Sequence, residues 1–279
     1  MTKPTVSILT PTYGRREFMP SLIQMVQAQT FDLRKCEWII LDDSPENCYD
    51  LFAPLIASKT IRVRYYHFVD GKMSLGAKRN MLNDLAEGEI LVAFDDDDYH
   101  CPSRISHSVT MLNKFKADFA GNSTMYLYFS DDDSIWIYDG QHGGGHFTNG
   151  TAAYRKSYLA DHKYDNSASY AEESSFSNQY EKPIVQLDPL RTILVKCHPT
   201  NTIDKRFTRM VNPAMKPTVL KLRDFIKCPK LRDVFKNLGR FNGEPIRVAP
   251  SVVKRLQEAG QLQQLIDEGF FTSQPAVTA

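Results

Sequence analysis

The sequence predicts an α/β fold in which helices flank a mixed, mostly parallel central sheet. Strand-like runs occupy residues 5–10, 37–41, 61–66 and 90–94. Apolar residues at helical spacing follow the first run, and residues 76–85 carry a second helical pattern that stops at Glu87-Gly88. The predicted order is therefore strand, helix, strand, strand, helix, strand. Such alternation is typical of a sheet built on parallel strands.

After residue 100 the pattern changes. Residues 102–115 predict a helix, and residues 125–129 and 135–138 predict a hairpin with Asp131, Asp132 and Asp133 at its turn. We interpret this acidic run as structural, because it joins antiparallel strands. From Lys205 to Arg240, eleven basic residues accompany two acidic ones. They predict a C-terminal helical extension packed on the main domain, with a surface for an anionic membrane or an acidic partner as the alternative.

Composition excludes several classes of protein. The 279 residues carry a net charge of +1, which argues against a nucleic-acid partner. Five cysteines without CxxC spacing favour reduced thiols over disulfides or a zinc site. The first strand begins at once, which leaves no room for a signal peptide, and no apolar run approaches the roughly 20 residues of a membrane span. We expect a soluble, cytoplasmic protein with at most peripheral membrane contact, and assembly into a homo-oligomer stays open.

Polar residues follow three of the predicted strands. Thr10-Pro11-Thr12 closes the first, Asp42-Asp43 the second, and four consecutive aspartates, residues 95–98, the fourth. The carboxyl ends of parallel strands meet at one edge of a sheet, where open α/β sheets bind ligands. The first two strand ends suit a nucleotide. Clustered carboxylates favour Mg²⁺ or Mn²⁺, which can hold phosphates at the same time, although a solvated acidic turn is the alternative for residues 95–98.

Five segments resemble family 2 glycosyltransferases with the GT-A fold, in particular the non-processive, inverting members. They are residues 6–15, 41–44, 76–80, 86–90 and 94–98. The resemblance implies that Asp97 binds the metal ion, Mn²⁺ or Mg²⁺, with Asp96 and Asp98 as an alternative pairing. For Arg79 an ion pair at the edge of the core is the alternative to a donor contact. The residues with implied or candidate donor contacts are Thr10, Pro11, Thr12, Tyr13, Arg15, Asp42, Asp43, Gly76, Arg79, Asp95 and Asp96.

A looser likeness to the same family extends to about residue 205. Residues 170–176 resemble the acidic pair of which the second member is the catalytic base, and here the pair is Glu172-Glu173. Which of the two glutamates acts stays open. Residues 195–201 resemble a later strand whose histidine, His198, can approach the metal, and a structural histidine is the alternative. The QxxRW signature of processive members is absent, so synthesis of a long polymer is not expected.

The resemblance implies a division into three parts. Residues 1–100 form the nucleotide-sugar-binding half of a GT-A domain, residues 101–205 the acceptor-binding half, and residues 206–279 a basic helical extension. A last helix is predicted over 252–266, and residues 272–279 are expected to fray. The implied activity is transfer of a sugar from a nucleotide-diphosphate sugar, a UDP-sugar, to a hydroxyl of a glycan, lipid or protein with inversion. A sugar nucleotidyltransferase and a non-catalytic carbohydrate- or metal-binding module are the alternatives.

Overall fold

In the computed structural model, residues 3–140, 143–248, 250–260, 263, 266–267 and 276–277 are described. Their strands are β1 Val6–Thr12, β2 Cys36–Asp42, β3 Arg62–His67, β4 Ile90–Ala93, β5 Tyr99–His100, β6 Phe119–Gly121, β7 Met125–Phe129, β8 Ser134–Tyr138, β9 Ala153–Arg155, β10 Val185–Gln186, β11 Ile193–Cys197, β12 Met215–Pro217, β13 Arg247–Val248 and β14 Ala276–Val277. Their α-helices are α1 Met19–Gln27, α2 Tyr49–Ser58, α3 Leu75–Leu85, α4 Arg104–Phe115, α5 Glu173–Phe176, α6 Lys205–Val211, α7 Leu222–Phe225, α8 Pro229–Asn237 and α9 Pro250–Glu258.

The main sheet has seven strands in the order β10-β6-β9-β4-β1-β2-β3. Strands β4, β1, β2 and β3 run parallel, and β9 lies antiparallel between β4 and β6. Strands β1 and β2 are buried along their whole length, which is the environment that near-continuous apolar runs predict. The predicted α/β fold with a mixed, mostly parallel sheet is confirmed.

A second sheet of five strands has the order β12-β8-β7-β11-β5. Strands β7 and β8 form the predicted hairpin, and β11 pairs with β7 in parallel. The two faces of this sheet differ in their surroundings. Tyr128 and Leu194 join the main hydrophobic core, whereas Leu127, Val195 and Met215 belong to a separate apolar cluster on the other face.

One helix was not predicted. Helix α2 connects β2 to β3, and this region was predicted to contain no helix, which is wrong. Parallel neighbours need a crossover connection, and α2 supplies it. Pro54 lies inside the helix and disguises it, because an internal proline removes a backbone donor and normally ends a helical pattern. Phe52 and Leu55 nevertheless bury its inner face.

The C-terminal extension packs on the main domain, as predicted. Phe225, Leu231 and Phe235 from α7 and α8 are buried in the main core. The boundary predicted after residue 205 falls at the first residue of α6, and β12 beyond it pairs with β8. The extension is therefore continuous with the second sheet.

The acidic run at the β7–β8 turn is structural. Arg209 pairs with Asp131 at 2.7 Å and with Asp132 at 3.0 Å, and Asp133 binds Lys236 and Arg240. Of the predicted helix over 252–266, the structure describes the part up to Glu258 within α9, and several later residues lie outside the described residues. Most of residues 272–279 do so too, and Ala276–Val277 pair with β13. None of the helices in the described ranges is long and apolar enough to cross a membrane.

Candidate active site

A cleft of about 460 Å³ opens beside the carboxyl end of β4. At the same edge of the sheet, Thr12 at the end of β1 is in register with Asp42 at the end of β2. One side of the cleft carries charged residues from the end of β4, from the β1–α1 connection, from α3 and from the start of α5. Those residues are Arg15, Arg79, Asp95, Asp97, Asp98, Glu172 and Glu173.

The four aspartates point in different directions. Asp95, Asp97 and Asp98 line the cleft, whereas Asp96 accepts a 2.6 Å hydrogen bond from the hydroxyl of Thr12. Burial raises the pKa of Asp96. Asp98 accepts the backbone N–H of Lys196 at 3.0 Å. Asp95 and Asp97 therefore share the cleft, and Asp96 between them turns toward β1. Which of the four aspartates binds a metal ion stays a prediction.

Asp97 is the meeting point of several side chains. Its Oδ2 lies 2.5 Å from Nη1 of Arg15, 3.1 Å from Nε2 of His198 and 3.1 Å from Nδ2 of Asn201. Burial acts to raise the pKa of Asp97, but the charge of Arg15 and the hydrogen bond with His198 outweigh it and hold that pKa well below its ordinary value. Asp97 is therefore an anion at neutral pH.

His198 lies beside Asp97 and Asn201. Its Nδ1 lies 3.0 Å from the hydroxyl of Thr200, and its Nε2 lies 2.8 Å from Nδ2 of Asn201 and 3.1 Å from Oδ2 of Asp97. Burial lowers the pKa of His198, which favours the neutral ring that metals bind. Because Nε2 lies 3.1 Å from Oδ2 of Asp97, the two side chains would be close enough to hold one metal ion together.

The described residues bring together no group of three or more Asp, Glu, His or Cys side chains suited to a metal ion. Mg²⁺ in phosphate-transfer sites is commonly held by one or two protein ligands, with substrate phosphates and water completing its shell. Asp97 and His198 fit that arrangement. Asn201 contacts both Asp97 and His198 and was not predicted as a site residue. It is the last residue of the segment 195–201, which also contains His198.

The second strand end is held by internal contacts. Asp42 accepts hydrogen bonds from Ser44 and from the hydroxyl of Tyr65, and it is fully buried. Asp43 accepts from the ammonium of Lys78 and from the backbone N–H of Met73. Both carboxylates are therefore engaged by the protein itself in this conformation.

Residues at the end of the first strand also form contacts within the protein. The hydroxyl of Thr10 accepts a 2.9 Å hydrogen bond from Trp38 inside the core, so its side chain faces away from the predicted ligand. The donor contact predicted for Thr10 stays a prediction. Pro11 is buried within β1, and the carbonyl of Thr12 accepts from the ammonium of Lys78 at 3.0 Å. The ring of Tyr13 is partly exposed, with Lys72 4.6 Å from its centre, and can still meet a ligand.

Lys78 is a site residue that was not predicted. It lies in the segment 76–80, yet its neighbours Gly76 and Arg79 were the predicted contacts. Its ammonium joins the ends of β1 and β2 through Thr12 and Asp43. Gly76 packs closely on the protein itself, because a Cβ there would overlap the carbonyl of Asp165 and its N–H donates to the carbonyl of Ala168, and its donor contact stays a prediction. Among the described residues that line the cleft, Gly76 is not included.

Arg79 connects the aspartates to the glutamate pair. It is buried, and its guanidinium reaches Asp95 at 3.0 Å and Glu172 at 2.8 Å. The structure therefore shows the ion pair that was one of the two alternatives for Arg79. Arg79 also lines the cleft, and its donor contact stays a prediction.

The two glutamates have different surroundings. Glu172 is buried against Arg79, whereas Glu173, the first residue of α5, is half-buried and faces the cleft. The hydroxyl of Ser177 donates to the backbone carbonyl of Glu173, and in the described part of the chain no side chain donates a hydrogen bond to the Glu173 carboxylate. Burial, together with the charge of Glu172, raises the pKa of Glu173 from 4.5 to about 7. Glu173 is therefore the free carboxylate of the pair, with a pKa suited to taking a proton near neutral pH.

Comparison with known proteins agrees with this arrangement. Residues 7–163, more than half of the chain, match the sequence profile described as Glycosyl transferase family 2. The chain belongs to glycosyl transferase family 2. The predicted family is confirmed.

Two curated relatives match part of the chain. The glycosyl transferase WcaA of Escherichia coli (strain K12), named for colanic acid biosynthesis, is 34% identical over 103 residues, which are 37% of this chain and 36% of that protein. GalNAc(5)-diNAcBac-PP-undecaprenol beta-1,3-glucosyltransferase of Campylobacter jejuni is 25% identical over 119 residues, which are 43% of this chain and 38% of that protein. The match spans well under half of either relative's length.

Solved structures show the same fold. S. aureus TarS has a TM-score of 0.56 at 17% identity, covering 70% of this chain and 37% of that chain. Mannosyltransferase PcManGT from Pyrobaculum calidifontis, in complex with GDP-Man and Mn²⁺, has a TM-score of 0.56 at 12% identity, covering 72% of this chain and 59% of that chain. These likenesses confirm the GT-A fold of this family 2 chain.

Proposed function

We propose that the protein transfers a sugar from a nucleotide-diphosphate sugar, a UDP-sugar, to an acceptor hydroxyl, with a divalent metal ion and with inversion. The observation that carries the proposal is one cleft that contains Asp95, Asp97 and the unpaired Glu173. Family membership supports glycosyl transfer over the two alternatives, a sugar nucleotidyltransferase and a non-catalytic module.

The donor lies across the carboxyl ends of β1, β2 and β4. Tyr13 offers an exposed ring to the base, and Arg15 and Lys78 bring positive charge toward the diphosphate. Asp42 and Asp43 form part of this end of the sheet. They contact the donor when it displaces their hydrogen-bond partners within the protein. Structural relatives support the donor class, since TarS has been solved in complex with UDP-GlcNAc and PcManGT with GDP-Man.

Asp97 and His198 would hold the metal ion, Mn²⁺ or Mg²⁺. When bound, the ion offsets the negative charge that develops on the departing diphosphate. The protein adds to this from its own side chains. Arg15 contacts Asp96 and Asp97 directly. Its positive charge therefore lies between these aspartates and the expected position of the phosphates.

Glu173 is the catalytic base. Its carboxylate takes the proton of the acceptor hydroxyl as the hydroxyl oxygen forms a bond to the anomeric carbon. The bond from that carbon to the diphosphate oxygen breaks, and the nucleoside diphosphate leaves with the electron pair. A single displacement of this kind inverts the anomeric configuration. Arg79 positions the site by holding Asp95 and Glu172, the neighbours of the reacting centre.

The acceptor enters from the side of the second sheet. We assign donor binding to residues 1–100, acceptor binding to residues 101–205 and a supporting role to residues 206–279. Cleft residues from β7, β8 and β11 support this division for the middle part, and Lys205, Thr208 and Met215 extend the acceptor side past residue 205. A glycan, a lipid and a protein are all acceptors that the family membership allows.

The test is to incubate the purified chain with UDP-glucose, UDP-galactose, UDP-GlcNAc and GDP-mannose in the presence of Mn²⁺. Release of nucleoside diphosphate from one donor, by slow transfer of its sugar to water, is the expected result, and a chelator should stop it. Glu181 is an exposed glutamate in the chain segment that follows α5. The Glu181→Gln variant serves as the control and is expected to release nucleoside diphosphate as the wild type does. Pyrophosphate made from a nucleoside triphosphate would instead indicate a nucleotidyltransferase, and donor binding with no release would indicate a non-catalytic module.

A further inference from the structure

Two large apolar side chains stand exposed at the mouth of the cleft. Tyr170 is 65% exposed and Ile203 is 51% exposed, and both line the cleft. Tyr170 precedes the glutamate pair, and Ile203 follows the segment that contains His198 and Asn201. Single exposed apolar residues are common on protein surfaces. These two differ because they border the same cavity that contains the predicted base.

An apolar wall continues inward from this mouth. It is formed by one face of the second sheet, where Val195 is in register with Leu127, and Tyr138 is in register with both Met125 and Met215. The opposite face of the same strands packs into the main core. The cleft-lining side chains of this wall are Met125, Leu127, Tyr138, Ile193, Val195 and Met215.

The apolar wall reaches the reacting end of the cleft. At Gly150 a Cβ would stand 3.0 Å from Oδ2 of Asp95 and 3.4 Å from Cδ1 of Ile193. The carboxylate and the aliphatic side chain thus approach the same glycine. A molecule in this cleft would meet charged groups on one side and hydrocarbon on the other.

The chemistry of the wall selects the kind of molecule. Stacking on a sugar ring uses aromatic faces, and the aromatic side chains on the apolar wall and at its mouth are Tyr138 and Tyr170. The other side chains of the wall, from Met125, Leu127, Ile193, Val195 and Met215, are aliphatic or thioether groups, and methionine adapts its shape to flexible apolar partners. Polar side chains, among them Thr148, Asn149 and Asn212, also line the cleft and can form hydrogen bonds with the sugar of the acceptor. A wall of this composition favours an aliphatic chain over a second polar sugar.

We propose that the acceptor is a glycoside with an aliphatic aglycone, and that Tyr170, Ile203 and Met125 contact the aglycone while the sugar hydroxyl faces Glu173. This inference rests on the proposed function, because it names the acceptor of that same site. It makes Tyr170 and Ile203 specificity-determining residues. Their exposure means that they can be replaced without opening the core.

The experiment compares the binding of methyl and hexyl glucoside, below the micelle concentration, in the presence of UDP and Mn²⁺. The sugar is the same in both probes, so the ratio of their affinities reports the aglycone alone. Burial of one methylene strengthens binding about fourfold. With part of the chain buried, we expect hexyl glucoside to bind at least about tenfold more tightly.

Variants with matched controls locate the effect. Tyr170→Ser and Ile203→Ser are expected to reduce the hexyl preference at least about threefold each. Tyr49→Ser and Leu190→Ser, at residues that are each 50% exposed and lie off the cleft, are expected to keep it. Equal affinity for the two glucosides, undetectable binding of hexyl glucoside, or the same loss in the control variants would overturn the inference.

The release of nucleoside diphosphate separates this inference from the proposed function. If release occurs and the hexyl preference is absent, the assignment of the acceptor alone is wrong. If the hexyl preference is present and release is absent with every donor, the apolar wall binds as inferred and the catalytic proposal is wrong.

Discussion

The Nε of Arg79 donates a 2.8 Å hydrogen bond to Oε1 of Glu172, and both side chains are buried. The same guanidinium reaches Asp95, so one arginine joins the end of β4 to the start of α5. Glu173 takes no part in this ion pair. The two adjacent glutamates therefore differ in their partners: Glu172 is held by Arg79, whereas the carboxylate of Glu173 faces the cleft.

Replacement of Glu173 by Gln tests this difference. The amide has the size of the acid but cannot accept the acceptor's proton, so kcat is expected to fall by about 10² to 10⁴. Donor affinity, measured by calorimetry, is expected to stay within about twofold of the wild type. In Glu172→Gln we expect lost stability, because Arg79 remains buried with one anion fewer. If Glu172→Gln keeps its stability and loses kcat while Glu173→Gln stays active, the base is Glu172.

The pH dependence of kcat/KM follows from the raised pKa of Glu173. The groups that face it are Glu172 and Asp95, which raise the pKa, and Arg79, which lowers it, and Tyr180 lies within electrostatic range. The deprotonated form is the active base, so kcat/KM should fall about tenfold per unit below a midpoint near pH 7 and level off above it. A rate profile measured from pH 5.5 to 8.5 checks this. A flat profile across that range would assign the base elsewhere.

The buried pair of Lys78 and Asp43 predicts a large change in stability. Lys78→Met leaves the Asp43 carboxylate buried without its cation, which is expected to cost about 3–5 kcal/mol of unfolding free energy. The double variant with Asp43→Asn removes both charges and should recover part of that loss. Urea unfolding measures the free energy of unfolding of both variants. Lys72→Met, at an exposed lysine between β3 and α3, should change that free energy by less than about 0.5 kcal/mol. A loss as small in Lys78→Met would mean that the pair is not formed.

Gly76 provides a test of packing against donor contact. Gly76→Ala places a methyl group on the Asp165 carbonyl, and relief of that overlap is expected to cost about 1–3 kcal/mol. UDP affinity of the folded variant should stay unchanged. At Gly144 the nearest atom to an added methyl group would lie 4.0 Å away, so Gly144→Ala should be neutral in urea unfolding. If Gly76→Ala is stable but binds UDP weakly, that result would support the prediction that Gly76 contacts the donor.

The parallel strands were predictable because burial on both faces leaves continuous apolar runs. The sequences of β1, β2 and β4 contain such apolar runs, and the polar residues after them indicate the ligand-binding edge of the sheet. Helix α2 was missed because Pro54 interrupts its pattern. Local signals therefore identify elements well where burial is continuous and poorly where a proline lies inside a helix.

The partners of the site residues could not be read from spacing. Lys78 meets Asp43, and Arg79 meets Glu172, through contacts that only the folded chain creates. The direction of each aspartate in residues 95–98 was also beyond the sequence. The segment leaves the regular strand at Ala93, so strict alternation of sides no longer applies. The likeness to the family supplied the spacing of Asp95 and Asp97, and the fold shows which side chains reach the cleft.

A metal-dependent donor site at Asp97 underlies the proposed function. The most direct measurement is calorimetric titration of UDP and UDP-sugars into the wild type and the Asp97→Asn variant, with Mn²⁺ and with a chelator. Asp132→Asn, at an exposed aspartate of the second acidic run, is the control. We predict that Mn²⁺ strengthens binding at least about tenfold in the wild type and the control, and that Asp97→Asn loses this gain while its melting temperature shows an intact fold. Equal donor affinity with and without metal, or an unchanged gain in Asp97→Asn, would contradict the account.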